Sequence, residues 1–176
     1  SRSIRSWMRW TSGMSEGRKE NMNGKDEEKL NKTERAAWIQ GVVRDFVTHS
    51  PENTLKNQAK DRAFEEVIVG FSRGDDPLYE SYKEVVAPFH WTPLEIFRRT
   101  FPGVEIEPGD LTVIAWVVGH HTLTKEDNRR EKFYPSERWA RARFFGEQVN
   151  EKMRRHVVEA LEAEGYAAVA PALSPH

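Results

Sequence analysis

Two adjacent histidines are the side chains of this chain best suited to acid–base or ligand chemistry. His120 and His121 directly follow an apolar, β-branched run. An imidazole there could ligate a metal, protonate a substrate or contact a cofactor edge. Neighbouring residues on an extended segment point to opposite sides, so we expect only one of the two to face a site. The alternative is a partly exposed loop histidine. No further ligand follows at helical spacing, so no metal site is predicted.

A pair of aspartates lies in the turn Arg73–Pro77, which follows another apolar run. In open α/β sheets, ligands bind beyond the carboxyl ends of the strands. Asp75 and Asp76 are therefore candidate contacts for a metal or for a ligand hydroxyl. The simpler interpretation is a turn in which one aspartate caps the helix that follows.

A pair of arginines, Arg129 and Arg130, lies in the mixed charge run Lys125–Lys132. Guanidinium groups bind phosphate through paired hydrogen bonds, and this position after a strand suits a phosphate-bearing cofactor or a nucleotide. A solvated loop is the alternative. Together with Arg138 and Arg141, the pair could instead form a basic patch for RNA or for an acidic partner.

The elements that must position these side chains alternate between helix and strand. Periodicity and capping residues predict helices at Lys25–Thr48, Leu78–Val86, Pro93–Thr100 and Ser136–Glu164, with a shorter candidate at Glu52–Asp61. Apolar, β-branched runs predict strands at Glu65–Phe71, Leu111–Val118 and Tyr166–Ala170. The residues Thr122–Tyr134 are predicted to form a polar loop.

This order predicts an α/β fold, with α+β as the alternative: a small mixed sheet flanked by helices, after a helical lead-in. Leu111–Val118 is apolar almost throughout, so we expect it to be central in the sheet, with both faces covered.

The composition narrows the possible functions. The 176 residues suit one domain, 38% of them are hydrophobic, and the formal net charge is −1. There is no cysteine, which excludes a disulfide, a thiolate-bound cluster and a thiol nucleophile in this chain. No apolar stretch approaches the roughly 20 residues that cross a bilayer, and no secretory signal is evident, so we expect a cytoplasmic protein without membrane contact. No familiar catalytic set is present, and whether the chain is an enzyme stays open.

The domain organisation is predicted to be an arm followed by one α/β domain. Residues 1–24 are polar, which is typical of a flexible arm. The alternative is an ordered arm in which Trp7, Met8 and Trp10 dock on this domain or on a second copy in a homodimer. Residues 25–176 form the domain. The predicted final strand is followed almost at once by His176, which leads us to expect the N-terminal part of a longer protein.

Several segments, taken in order, resemble a known family. They are Val69–Pro77, His90–Pro93, Leu111–Trp116, Asn128–Glu131, Pro135–Trp139 and Phe145–Glu147. Their order is similar to that of the N-terminal half of iron–sulfur proteins related to epoxyqueuosine reductase, with a layout also similar to that of reductive dehalogenases.

The resemblance implies an α/β domain that helps to hold a cobalamin. If it does, we expect the site to use the loops after the strands, near Asp75, His120 and Arg129. It also implies a ferredoxin-like C-terminal portion as the partner, and the 4Fe-4S clusters would lie only there. The family's reductases have an acidic proton donor where this chain has Pro171–Ser174, so no catalytic residue is carried over. We therefore expect a cofactor- or substrate-binding domain of an oxidoreductase-like protein. The alternative is a non-enzymatic binding or dimerisation module.

Overall fold

A computed structural model describes residues 32–173 of the chain. Along this range, helices and strands follow in the order α1 Lys32–His49, β1 Phe64–Arg73, α2 Pro77–Val85, α3 Pro93–Thr100, β2 Thr112–His120, α4 Thr122–Arg130 and α5 Glu137–Ala163. Short 3₁₀ turns lie at Pro108–Asp110 and Pro171–Leu173. The predicted α/β class is confirmed.

Capping side chains set where helices α2 and α3 begin. Asp76 accepts a hydrogen bond from the Leu78 N–H at the start of α2. At α3, the Thr92 hydroxyl accepts from Glu95 N–H while the Glu95 carboxylate accepts from Thr92 N–H, which completes the predicted capping box. These bonds satisfy backbone donors that the first helical turn leaves free.

The described sheet is a two-stranded antiparallel ribbon, with α2 and α3 inserted in the chain between its strands. Val67 pairs with Val118, Val69 with Trp116, and Phe71 with Ile114. Since side chains alternate along a strand, these three pairs share the inner face.

Helices α1 and α5 cover that inner face. The core consists of buried side chains from both helices, from β1 and from the connection after α1, among them Val43, Leu55 and Met153, which are fully buried. Full burial of such a side chain contributes about 1.5–3 kcal/mol. The long helix α5 therefore packs against the ribbon and holds it in a fixed position relative to α1.

The connection between α1 and β1 is held by one buried amide. Asn53 Nδ2 donates to the carbonyls of Val47 and Phe64, both at 2.8 Å, and Phe64 N–H donates to Asn53 Oδ1 at 3.0 Å. Asn53 is 3% exposed. These bonds give buried backbone groups of Phe64 a side-chain partner, and the Val47 carbonyl also accepts from Arg62 Nη2. The short helix considered for Glu52–Asp61 is wrong, because this segment forms turns.

The outer face of the ribbon departs from the prediction for β2. Val117 is 70% exposed and its cross-strand partner Ile68 is 74% exposed. The expectation that β2 is central with both faces covered is therefore wrong for the described residues. The apolar run in β2 is explained by cross-strand pairs of β-branched residues, which stabilise the ribbon on its exposed face as well as on its covered face.

Two further element predictions are wrong. Thr122–Arg130 forms helix α4 instead of a loop, and Tyr166–Ala170 forms no strand. The helix α4 was missed because it is polar almost throughout and is held by side chains from other elements rather than by an apolar face. After α5, Gly165 adopts a φ of 84° and stops the helix as predicted, but the chain that follows pairs with no described strand.

Some predictions fall outside the described residues. The arm 1–24, with Trp7 and Trp10, lies there, as do the first seven residues of the helix predicted from Lys25 and the end of the chain at His176. Within residues 32–173, every helix is too short or too polar to cross a bilayer.

Candidate functional site

The candidate site begins with a β-bulge near the end of the ribbon. Phe64 pairs with His120, and Glu66 with Gly119, so Glu65 is the extra residue. The bulge returns Phe64 to the inner face, which His120 already occupies by the regular alternation of β2, and the two rings stack there with centroids 5.7 Å apart. His120 is thereby held half-buried at the carboxyl end of β2.

Glu65 fixes the first turn of α4 next to this histidine. Its carboxylate accepts from Thr122 N–H at 2.8 Å, from the Thr122 hydroxyl at 2.7 Å and from Lys125 Nζ at 3.0 Å. The hydrogen bond from the Thr122 hydroxyl, followed by those from its backbone N–H and from Lys125, lowers the pKa of Glu65 to about 2. Glu65 is therefore charged near neutral pH and ties α4 to the ribbon.

His121 has a structural role at the same end of the ribbon. Its Nδ1 accepts from the Leu123 N–H at 3.3 Å and so caps α4. Its Nε2 lies 3.8 Å from the Glu65 carboxylate. The two predicted histidines are thus separated: His121 starts a helix, while His120 lines a cleft.

Arg138 joins α4 to α5 from the other side. Its Nε donates to Asp61 at 2.7 Å, and its Nη1 donates to Asp127 on α4. Hydrogen bonds, first from Asn57 and then from Arg138, lower the pKa of Asp61. Asn128 on α4 also accepts from the Ser136 N–H at 3.1 Å. These bonds hold α4 against the start of α5.

An open cleft of about 260 Å³ lies between α4, the start of α5 and the end of β2. Its lining residues carry aromatic, cationic, hydroxyl and amide groups: His120, Thr124, Lys125, Asn128, Arg129 and Trp139. Two of the predicted site residues, His120 and Arg129, therefore meet in one cavity. Such a mixture of a ring surface with a few polar groups is typical of small-molecule sites.

Two polar atoms of this cleft are buried without a hydrogen-bond partner. They are His120 Nδ1 and Thr124 Oγ1, and Thr124 is 1% exposed. An unsatisfied buried polar group costs about 1–3 kcal/mol, and such groups are rare in folded proteins. Both atoms belong to residues that line the same cavity.

The electrostatics of the cleft are cationic. Lys125 donates to Glu65, which uses one of its three N–H groups. Arg129 is exposed and has no ion pair or hydrogen bond with any residue in the range 32–173. No carboxylate is among the lining residues. The cavity therefore suits an anionic group more than a cation.

The predicted aspartates lie elsewhere. The turn that holds them follows the far end of β1, and a 10-residue strand of about 3.3 Å per residue places it roughly 30 Å from His120. Asp75 binds Arg73 through two hydrogen bonds, of 2.8 and 2.6 Å, and the side-chain bonds from Arg73 lower its pKa. Asp76 caps α2. The structure therefore does not bring these aspartates to the cleft.

The other arginines of the predicted basic patch are paired with carboxylates. Arg130 lies 3.8 Å from Asp127, and Arg141 donates to Glu137 at 2.7 Å. Arg138 is held as described above. Only Arg129 of the four keeps an unpaired guanidinium among the described residues.

Sequence reasoning missed four lining residues: Thr124, Lys125, Asn128 and Trp139. The signal was present in the spacing: Thr124 and Asn128 stand four residues apart, as do Lys125 and Arg129. On a helix, residues four apart share a face. Interpreting this segment as a loop hid the shared face.

Comparisons with protein-family models, with curated proteins and with solved structures find no match to this chain. The site is therefore argued from its own geometry.

Proposed function

We propose that this chain is the cofactor-binding domain of an iron–sulfur oxidoreductase-like protein, and that the cleft between α4 and α5 receives the organic cofactor. The observation that carries the proposal is the convergence of His120 and Arg129 with the Trp139 ring in one cavity. Both residues are candidates from the sequence alone. The resemblance to proteins related to epoxyqueuosine reductase makes cobalamin the leading cofactor.

The donor set fits part of a cobalamin. The molecule is far larger than a cavity of about 260 Å³, so only one portion of it can enter. Its nucleotide tail joins a phosphodiester to a flat heteroaromatic base, which matches a guanidinium beside an indole. Arg129 would hold the phosphate and Trp139 would contact the base. A corrinoid supplies electron-transfer chemistry through its cobalt when bound.

The electron path of this proposal lies outside the chain. The sequence has no cysteine, so 4Fe-4S clusters would be carried by a ferredoxin-like portion. This domain would then bind and orient the cofactor, and no catalytic residue is assigned to it.

Equilibrium dialysis of the chain against cobalamin tests the proposal. We expect the chain to retain cobalamin, and Arg129→Gln to weaken this retention. Arg130→Gln is the matched control, because its side chain lies outside the cleft and pairs with Asp127. Equal concentrations of cobalamin on both sides of the dialysis membrane, at high protein concentration, would reject the proposal for this domain.

The rival function, binding of RNA or of an acidic partner by the arginine patch, has weaker support. Arg130, Arg138 and Arg141 each face a carboxylate, which reduces the net positive charge of that surface. If RNA does bind, its affinity should fall steeply with salt. Absence of RNA binding at low salt would eliminate this alternative.

A further inference from the structure

We propose that the cleft contains an oxyanion subsite, formed by Thr124, His120 and Arg129 with Lys125 at its edge, that binds a phosphate group attached to a planar ring. This inference goes beyond the cofactor proposal and does not depend on cobalamin. It rests on unsatisfied hydrogen-bonding atoms and on charge, and it would apply equally to a nucleotide-like ligand.

Thr124 provides the first observation. Its side chain is 1% exposed, yet its hydroxyl has no partner. A threonine within a helix commonly satisfies its hydroxyl on the carbonyl one turn earlier. Here that bond is absent, and the residue lines the cleft. A ligand oxygen would supply the missing acceptor.

His120 provides the second observation, on a different element. Its Nδ1 is also buried without a partner, and its ring is held by stacking on Phe64. In the tautomer with hydrogen on Nδ1, this atom donates a hydrogen bond. Two donors from β2 and α4 would then serve the same acceptor group.

The charges around the cleft favour an anion. The guanidinium N–H groups of Arg129 have no partner among the described residues. Lys125 has two N–H groups left after its bond to Glu65. The charge of Glu65, which does not line the cleft, is already matched by Lys125 and by the donors of Thr122. The balance of the two cations against Glu65 remains positive.

Thr124, His120, Arg129 and Lys125 offer several hydrogen-bond donors to one cleft. Phosphate suits such a set better than a carboxylate does, because phosphate has more acceptor oxygens in a tetrahedral array. The Trp139 ring forms another part of the wall, and flat groups pack well against an indole. We therefore assign the subsite to a phosphate monoester or diester that carries a heteroaromatic ring.

Calorimetric titration of the chain with inorganic phosphate, adenosine monophosphate and adenosine tests the subsite. We expect adenosine monophosphate to bind more tightly than phosphate, and adenosine to bind at least about tenfold more weakly than adenosine monophosphate. Free phosphate binding as tightly as the nucleotide would remove the ring from the assignment. No heat from either phosphate compound at concentrations on the order of 10 mM would overturn the subsite.

Two variants locate the binding. Arg129→Gln should weaken nucleotide binding at least about tenfold, whereas Arg130→Gln should leave it unchanged. Thr124→Val keeps the shape of the side chain and removes the hydroxyl, so it should weaken binding without lowering the melting temperature. If Thr124→Val lowered the melting temperature and left the affinity intact, the hydroxyl would be structural and the assignment would be wrong.

The outcomes separate this inference from the cofactor proposal. Nucleotide binding that depends on Arg129 and Thr124, without retention of cobalamin, keeps the subsite and rejects cobalamin. Retention of cobalamin that Arg129→Gln weakens, without binding of phosphate or adenosine monophosphate and without an effect of Thr124→Val, keeps the cofactor proposal and rejects the subsite.

Discussion

The ring of His120 lies opposite the ring of Phe64 at the end of the ribbon, with their centroids 5.7 Å apart. This pairing depends on the bulge at Glu65, which returns the Phe64 ring to the inner face opposite His120. The same bulge leaves the Glu65 carboxylate free to hold Thr122 and Lys125. One irregular residue therefore both places Phe64 against the histidine and anchors the helix that forms the other wall of the cleft.

Replacing Glu65 should change how stability depends on pH. The pKa of Glu65 is lowered from 4.5 to about 2 by the donors of Thr122 and by Lys125. Its contribution to stability is therefore full above about pH 4.5 and is lost as the pH falls through 2. We expect Glu65→Gln to be less stable than the wild type near pH 7, with the gap narrowing as the pH falls below 4.5. Urea unfolding of both proteins over this range measures the gap, and a gap independent of pH would contradict the role of the carboxylate charge.

Two glycines should respond to alanine in opposite ways. A Cβ at Gly146 in α5 would lie 3.0 Å from the Phe64 ring, whereas a Cβ at Gly41 in α1 would meet nothing within 4 Å. Alanine in an open helical position stabilises by up to about 1 kcal/mol, and overpacking costs about 1–3 kcal/mol. We expect Gly146→Ala to be at least about 1 kcal/mol less stable than Gly41→Ala in denaturant unfolding. Equal stabilities would show that Phe64 is not packed against α5.

Removing the buried amide at Asn53 should destabilise the fold. Asn53→Ala deletes three hydrogen bonds and removes the side-chain partner of the buried Phe64 N–H and carbonyl groups, while the Val47 carbonyl keeps its bond from Arg62. The expected loss is about 3 kcal/mol in the free energy of unfolding. Gln148→Ala is a suitable control, because its exposed amide accepts only from Lys56. Its effect should stay within about 0.5 kcal/mol. A comparably small effect of Asn53→Ala would refute the role assigned to this amide.

Arg138 is expected to keep α4 in place. Arg138→Gln should leave Asp61 and Asp127 without their shared cation, and α4 should then open more often. Amide hydrogen exchange should therefore become faster in Thr122–Arg130, with little change at the centre of α5. Arg155→Gln, which removes an exposed pair with Glu151, provides the control. Unchanged exchange in α4 would show that Arg138 does not hold the helix.

The sequence predicted elements with a strong local signal. The strand β1, the capping box at Thr92 and the long helix α5 carry such signals, and each lies within a few residues of its predicted bounds. By contrast, α4 has no apolar stripe, and the contacts that hold it come from Glu65, 57 residues away in the chain, and from Arg138. Such long-range ties leave no local pattern to detect.

The site was predictable only in part for the same reason. His120 and Arg129 could be named because a histidine after a strand and an arginine in a charge run are suited to binding. Asp75 was placed with them because the sheet was expected to be mixed, with strands ending at one edge. In an antiparallel ribbon the carboxyl ends of β1 and β2 lie at opposite ends of the ribbon, so Asp75 is remote from the cleft.

The most direct test of the central claim, that the cleft beside His120 is a ligand site, is a crystal structure of the chain grown with adenosine monophosphate. We expect the phosphate of the bound nucleotide to lie within hydrogen-bond distance of Thr124 Oγ1 and the Arg129 guanidinium, with the base against Trp139. A bound nucleotide elsewhere on the chain, with Thr124 Oγ1 still unpartnered in an empty cleft, would contradict it.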